Sequence, residues 1–269
     1  EIDIDGTERF RGPTYLTGRW PHEPVDFTGK RVAVIGTGSS AIQSIPVIAK
    51  TAGQVTVFQR TPNFSIPANN GPVPQAVLDE FWSDRDAFRE AERNSGSGVK
   101  LVPATVSALS VSDEERNATY EMAWERGGIS EFLSTYTDHL LDPRANELLA
   151  EFVRNKIRST VKDPETAAAL MPDDHPFGAK RPCLETNYYA TYNRPNVTLV
   201  NLRQEPIKAI TASGTSLSTL EPGVMRLSRT RPATGENTRT VTSSSQARRP
   251  FKVSAGPPAT RAGSTFSIC

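Results

Sequence analysis

The run Arg31-Val-Ala-Val-Ile35 leads straight into Gly36-Thr37-Gly38-Ser39-Ser40-Ala41, and this junction constrains the chain more than any other segment. A short β-branched run reads as a strand. A glycine turn followed at once by helix-like sequence sends the chain back across the sheet, which is the start of a parallel β-α-β unit. Gly36 permits the tight turn. Gly38 lets the backbone approach a pyrophosphate, and Ala41 is small enough for the helix to pack close to its strand. The helix start then offers unpaired N–H groups and the positive end of its dipole to phosphates. Gly36, Thr37, Gly38, Ser39, Ser40 and Ala41 are therefore the expected dinucleotide-binding turn. An ordinary turn between strand and helix is the plainer alternative, and the order strand, turn, helix weighs against it.

The next strand bears on which dinucleotide. Gln54-Val-Thr-Val-Phe58 ends at Gln59-Arg60-Thr61. A site that prefers NAD usually carries Asp or Glu here, about 20 residues after the glycines, to accept from the ribose 2′-hydroxyl. This chain offers neutral Gln59 and cationic Arg60. A carboxylate repels a 2′-phosphate, whereas a guanidinium grips one with paired hydrogen bonds. The pattern favours NADP over NAD; a solvated surface arginine is the alternative reading of Arg60.

Composition excludes several classes. The 269 residues allow one large domain or two modest ones, and a formal net charge of +1 gives no reason to invoke nucleic acid or an anionic membrane. No apolar run is long enough to span a bilayer. Two cysteines, Cys183 and Cys269, make no disulfide framework, so a reducing, cytoplasmic compartment is expected. His139 and His175 have no metal-ligand spacing around them, and no glycine–serine–glycine nucleophile elbow occurs. Glu1 stands in polar, turn-like sequence, which reads as the interior of a longer protein.

The expected fold is α/β: a Rossmann-like NADP-binding domain with a helical insertion, an incomplete sheet and a disordered C-terminal tail. Residues 1–30 read as a linker or loop with short extended pieces. Residues 31–72 and 171–212 read as the α/β domain, with Asn196-Val-Thr-Leu-Val200 rejoining the sheet and a further strand at Ile207 to Thr211. Residues 73–170 read as helical. Val77, Phe81, Trp82 and Phe88 mark one amphipathic face, and Trp82 and Trp124 are read as core. Ser112-Asp-Glu-Glu115 is a capping box for a helix to about Arg126, and Asp142-Pro143 and Asp163-Pro164 open two more. From residue 213 onward Ser, Thr, Arg, Pro and Gly dominate without periodicity, which predicts disorder.

With these residues in view, the chain resembles the Baeyer–Villiger monooxygenases, class B flavoprotein monooxygenases, over roughly residues 5–212. The resemblance is carried by Gly18-Arg-Trp20-Pro21-His-Glu-Pro-Val-Asp-Phe-Thr-Gly-Lys30, by Val57-Phe-Gln-Arg60-Thr61-Pro-Asn-Phe-Ser-Ile-Pro67, by Gly178-Ala-Lys180-Arg181-Pro-Cys-Leu-Glu-Thr-Asn-Tyr188-Tyr189 and by Tyr192-Asn-Arg-Pro-Asn-Val-Thr-Leu-Val200. The family fingerprint maps onto Phe10, Gly12 and Trp20, but its histidine position holds Leu16. Leucine makes no hydrogen bond and no charge change. His22 is out of register.

The resemblance implies an enzyme that uses NADPH, FAD and O2 to insert one oxygen atom into a ketone, giving an ester or lactone. Flavin and nicotinamide carry the hard chemistry, and the protein supplies position and electrostatics. By the same resemblance Arg181 is the cation that stabilises the anionic oxygenating species. Lys180, with Arg60 and Thr61, handles the 2′-phosphate. Without the resemblance, Lys180-Arg181 reads as a solvated basic pair, and Cys183 as a small loop side chain. The family's FAD-binding glycine motif precedes the fingerprint and is not in this sequence, so the chain made alone is expected not to oxygenate. A non-catalytic or degenerate NADP-binding fragment and an N- or S-oxygenating flavin monooxygenase are the competing readings.

Overall fold

The computed structural model describes residues 4–95, 98, 103–217 and 265–268. In chain order the strands and helices are β1 (Thr14–Leu16), β2 (Arg31–Ile35), α1 (Ser39–Ile48), β3 (Gln54–Gln59), β4 (Ser65–Pro67), α2 (Gln75–Ser83), α3 (Arg85–Asn94), α4 (Asp113–Arg126) and α5 (Ile129–Leu133). There follow α6 (Pro143–Thr160), α7 (Pro164–Leu170), β5 (Cys183–Glu185), α8 (Tyr188–Thr191), β6 (Val197–Asn201), β7 (Ile207–Thr211), β8 (Gly214–Leu217) and β9 (Thr265–Ile268). The chain forms two compact units. One comprises residues 1–63, 154–173 and 185–269, the other 64–153 and 174–184.

The first unit is built on a five-stranded sheet in the order β1-β9-β2-β3-β6, with all neighbouring strands parallel. Val32 to Ile35 are all buried, as an inner parallel strand covered on both faces requires. β2 aligns with β3 from Arg31↔Gln54 to Ile35↔Phe58, so both strands end level with each other. Helix α1 joins them, burying Ala41, Ile42, Ile45 and Ile48. An antiparallel hairpin, β7–β8, adds Ile210 and Leu217 to a core cluster with Phe10, Ala33, Ile35 and Phe58. Burying side chains of this size stabilises by about 1.5–3 kcal/mol each before entropy is counted.

The second unit is mainly helical, with a two-stranded β4–β5 ribbon. Its helix starts follow local rules. Ser112 Oγ accepts from the Glu115 N–H at 3.2 Å, and Gly127, at φ 74°, ends α4. Asp142 Oδ1 accepts from the Arg144 N–H at 2.8 Å at the start of α6.

Four expectations need correction. Residues 1–30 are more than a linker: β1 joins the sheet, and Phe10 and Phe27 are buried. The helical insertion is not 73–170. Helix α7 belongs to the first unit, where Gln59 Nε2 donates to the Ala169 carbonyl at 2.6 Å and Arg154 Nε to the Pro172 carbonyl at 2.9 Å. Helical periodicity reports that a helix exists, not which core it joins. Trp82 is not core: it is 69% exposed, and α2 and α3 bury no residue. The aromatic faces pack on one another instead, Phe81 lying 5.4 Å from Phe88 and 4.9 Å from Trp82 between ring centres. The stretch from residue 213 is also ordered at two places. Gly214–Leu217 is β8, and Thr265–Ile268 is a strand lying between β1 and β2. A hairpin partner and a short segment with three β-prone residues are enough for this, and average composition hides both. The expectation of disorder for residues 218–264 lies outside the described residues.

Candidate functional site

The Gly36–Ala41 turn stands at the carboxyl end of β2. The Gly36 N–H donates to the Phe58 carbonyl at 2.8 Å, which ties the turn to the neighbouring strand. Gly36 has φ 100°, a conformation that a side chain strains. Thr37 is buried, and its Oγ1 donates to the Thr61 carbonyl at 3.3 Å. The turn and the exit of β3 are thus held together. Gly38 is the N-cap of α1, with φ −78° and ψ 179°, and has no side chain to cap the helix. Its carbonyl accepts the first helical bond, from the Ile42 N–H at 3.0 Å. A Cβ placed on Gly38 would meet no atom within 4 Å. Packing therefore does not require glycine there. What the missing side chain leaves is open space over the first turn of α1, where the N–H groups of Ser39, Ser40 and Ala41 fall. That is the space a pyrophosphate takes at a helix N-terminus, so the turn fits a dinucleotide.

At the end of β3, Gln59 and Arg60 part company. Gln59 is buried, and its Nε2 is taken up by the Ala169 carbonyl. Arg60 is exposed and Thr61 half-buried. Arg60 and Thr61 are the polar residues that leave the strand beside the turn.

In the second unit, Lys180 and Arg181 are both exposed and lie just before β5. The loop that carries them is fixed at two points. The Ala179 N–H donates to the Pro176 carbonyl at 3.2 Å in a turn through Gly178, and the Cys183 N–H donates to the Phe64 carbonyl at 2.8 Å. Phe177 is buried, 5.3 Å from Phe64 and 6.4 Å from Phe132 between ring centres. Cys183 is buried as well, which makes it a packing residue.

Two residues of this unit escaped the sequence. Asn146 is buried, and its amide bonds the backbone at Phe177 and His139. His139 is buried, with Nε2 2.8 Å from the Tyr120 hydroxyl and Nδ1 3.5 Å from Thr135 Oγ1. Burial holds His139 neutral, with its pKa pushed down to about 4, and raises that of Tyr120. No local motif announces either residue. For Asn146 the cue was a polar residue at an inward position of a helical segment. No group of side chains that could hold a metal occurs among the described residues.

No family model matches the chain. Comparison with individual proteins is informative. A phenazine N-monooxygenase of Lysobacter antibioticus is 43% identical over 212 residues, which is 78% of this chain and 39% of that protein. A Baeyer–Villiger monooxygenase of Pseudooceanicola batsensis is 38% identical over 217 residues, 80% of this chain and 39% of that one. Among solved structures, an oxidised steroid monooxygenase bound to NADP superposes with a TM-score of 0.76 at 48% identity, covering 82% of this chain and 42% of that one. Over about four fifths of its length the chain is similar to Baeyer–Villiger monooxygenases. It spans about two fifths of the length of the curated relatives it matches.

Against the Baeyer–Villiger fingerprint, Phe10 is a core residue of the first unit. Trp20 stacks with Tyr15 and Phe27 at 5.4 and 6.2 Å between ring centres. Leu16 closes β1 half-buried, and His22 is exposed in the following loop. Nothing brings His22 to the fingerprint position. No second strand–glycine–helix turn occurs among the described residues.

Proposed function

We propose that this chain is the NADP-binding part of an NADPH- and FAD-dependent monooxygenase that uses O2 to insert an oxygen atom into a ketone, giving an ester or lactone, in the cytoplasm. The observation that carries this reading is the open face of Gly38 over the start of α1, in a chain similar to a steroid monooxygenase bound to NADP. When bound, nicotinamide and flavin supply the hydride and the activation of oxygen. The chain's own work is electrostatic and positional. The α1 N–H groups hold the pyrophosphate, and Arg60 and Thr61 hold the 2′-phosphate. Arg181 supplies the positive charge for oxygen that becomes anionic during insertion. A cation positioned beside charge that develops during the reaction stabilises that charge.

Calorimetric titration tests the cofactor reading. Arg60→Ala is expected to weaken NADP⁺ by about tenfold or more and to spare NAD⁺, since one charge-assisted bond is worth about 1.5–3 kcal/mol. Equal affinity of the unaltered chain for both would overturn the reading. For the oxygenation, the chain is joined to an FAD-binding domain of the family, and stopped-flow absorbance separates flavin reduction from product formation. Arg181→Ala should leave reduction intact and abolish ester. A second reading, N-oxygenation, is favoured by the phenazine N-monooxygenase relative. N-oxide from a phenazine without ester from ketones would select it.

A further inference from the structure

Arg60 leaves the end of β3 as an exposed cation, and its guanidinium makes no hydrogen bond or ion pair among the described residues. The residues on either side of it are held. Gln59 is 2% exposed, and its Nε2 donates to the Ala169 carbonyl at 2.6 Å, in the last turn of α7. The Gln59 carbonyl accepts from the Leu202 N–H at 2.7 Å, just beyond β6. On the other side, the Thr61 carbonyl accepts from Thr37 Oγ1 at 3.3 Å. Arg60 is thus a free side chain on a backbone fixed before it and after it. Every partner in these ties belongs to the first unit.

A glutamine this deep is costly unless it is bonded, and a methionine would fill the same space without needing a partner. Packing alone therefore does not account for the amide. What the amide adds is a tie between the last residue of β3 and a helix 110 residues away in sequence. Arginine has a long, rotamer-rich stem, so a contact it makes costs less entropy when its backbone already stands in place.

We propose that Gln59 is the positioning residue for Arg60: by tying the end of β3 to α7, it holds the guanidinium where it distinguishes a nucleotide with a 2′-phosphate from one without. This rests on the cofactor reading above. Gln59→Met keeps the length of the side chain and removes the donor. Gln59→Asn keeps the amide but leaves it one methylene short of Ala169. Neither brings in a charge, so neither repels a phosphate, and a change in discrimination has to pass through Arg60.

The test is calorimetric titration of the full chain with NADP⁺ and with NAD⁺, for the unaltered protein, for both Gln59 variants, for Arg60→Ala and for Gln59→Met combined with Arg60→Ala. Each Gln59 change should weaken NADP⁺ by about threefold to tenfold, less than Arg60→Ala does, while NAD⁺ stays within about twofold. A plain loss of stability lowers the folded fraction and weakens both nucleotides alike, so the ratio of the two affinities reports positioning. Once Arg60 is gone, Gln59→Met should leave that ratio where Arg60→Ala put it, because both changes act on one interaction. A ratio unaltered in either Gln59 variant, or a further loss of ratio without Arg60, overturns this inference while the cofactor reading stands. If the unaltered chain does not discriminate, the cofactor reading falls and this inference with it. Side-chain amide exchange of the unaltered protein needs no variant to fold. The Gln59 Nε2 hydrogens should exchange far more slowly than those of exposed Gln204, and equal rates overturn the tie.

Discussion

Gly36 and Gly38 sit two residues apart and fail in opposite ways when given a side chain. Gly36 has φ 100°, so Gly36→Ala strains the backbone and should cost about 1–3 kcal/mol of stability. Gly38 has ordinary extended angles and open space at its Cβ, and it caps a helix without a side-chain acceptor. Gly38→Asp supplies that acceptor and a negative charge at the positive end of α1. Stability should stay level or rise by a few tenths of a kcal/mol (about 0.3–1 kcal/mol at most). The same carboxylate would stand where phosphate is proposed to lie, and like charges brought together cost several kcal/mol, so NADP⁺ affinity should fall by about a hundredfold. Urea unfolding and calorimetric titration on the same two proteins check both halves. A Gly38→Asp variant that still binds NADP⁺ would remove the turn from the site.

Elements whose cause is local were legible, and those whose cause is distant were not. The strand–turn–helix at Arg31–Ile48 and the caps at Ser112, Asp142 and Asp163 depend on neighbours within four residues, and the structure has them. Asn146 depends on Phe177, which is 31 residues away, so nothing beside it in the sequence marks its role. Of the Val77–Phe88 face, Trp82 was wrongly read as core, because periodicity gives a face but not its cover. At the site, Arg60 and Thr61 were legible as the end of a strand, whereas the withdrawal of Gln59 into the core required Ala169. The helix α4–α6 region carries one more consequence of burial. His139 is held neutral with a pKa of about 4 against an ordinary 6.5. As pH falls, the unfolded chain takes the proton first, so this stability is complete above about pH 6.5 and drains away towards pH 4. The loss should reach about 3 kcal/mol, at 1.36 kcal/mol per pKa unit. Urea midpoints across that window should fall less steeply for His139→Asn than for the unaltered chain. Parallel slopes would mean that His139 protonates freely in the folded state.

At the scale of the whole chain, β9 joins the two ends of the sequence. It runs parallel to β1 on one side and to β2 on the other, with Phe266 aligned with both Thr14 and Ala33. The expectation of a tail free of the fold averaged residues 213–269 and passed over Thr-Phe-Ser-Ile, whose residue types favour strands. The position matters because β2 carries the Gly36 turn at its end. With β9 in place, β2 is an inner strand, paired on both edges. Without it, Val32–Ile35 lose one row of partners, and buried backbone groups without partners are costly. Removing residues 218–269 should therefore lower stability by about 2–4 kcal/mol, from several ladder bonds at about 0.5–1.5 kcal/mol each. The β7–β8 hairpin stays, since it ends at Leu217. Phe266→Pro asks the same question with one residue. Proline cannot donate to a ladder and is excluded from inner strands, so it should reproduce most of the loss in the full-length chain. NADP⁺ affinity should fall with it in both proteins, because the turn hangs from β2. Urea unfolding with parallel NADP⁺ titrations gives the answer. Unchanged stability in both the truncated chain and Phe266→Pro would show that β2 holds its place without β9.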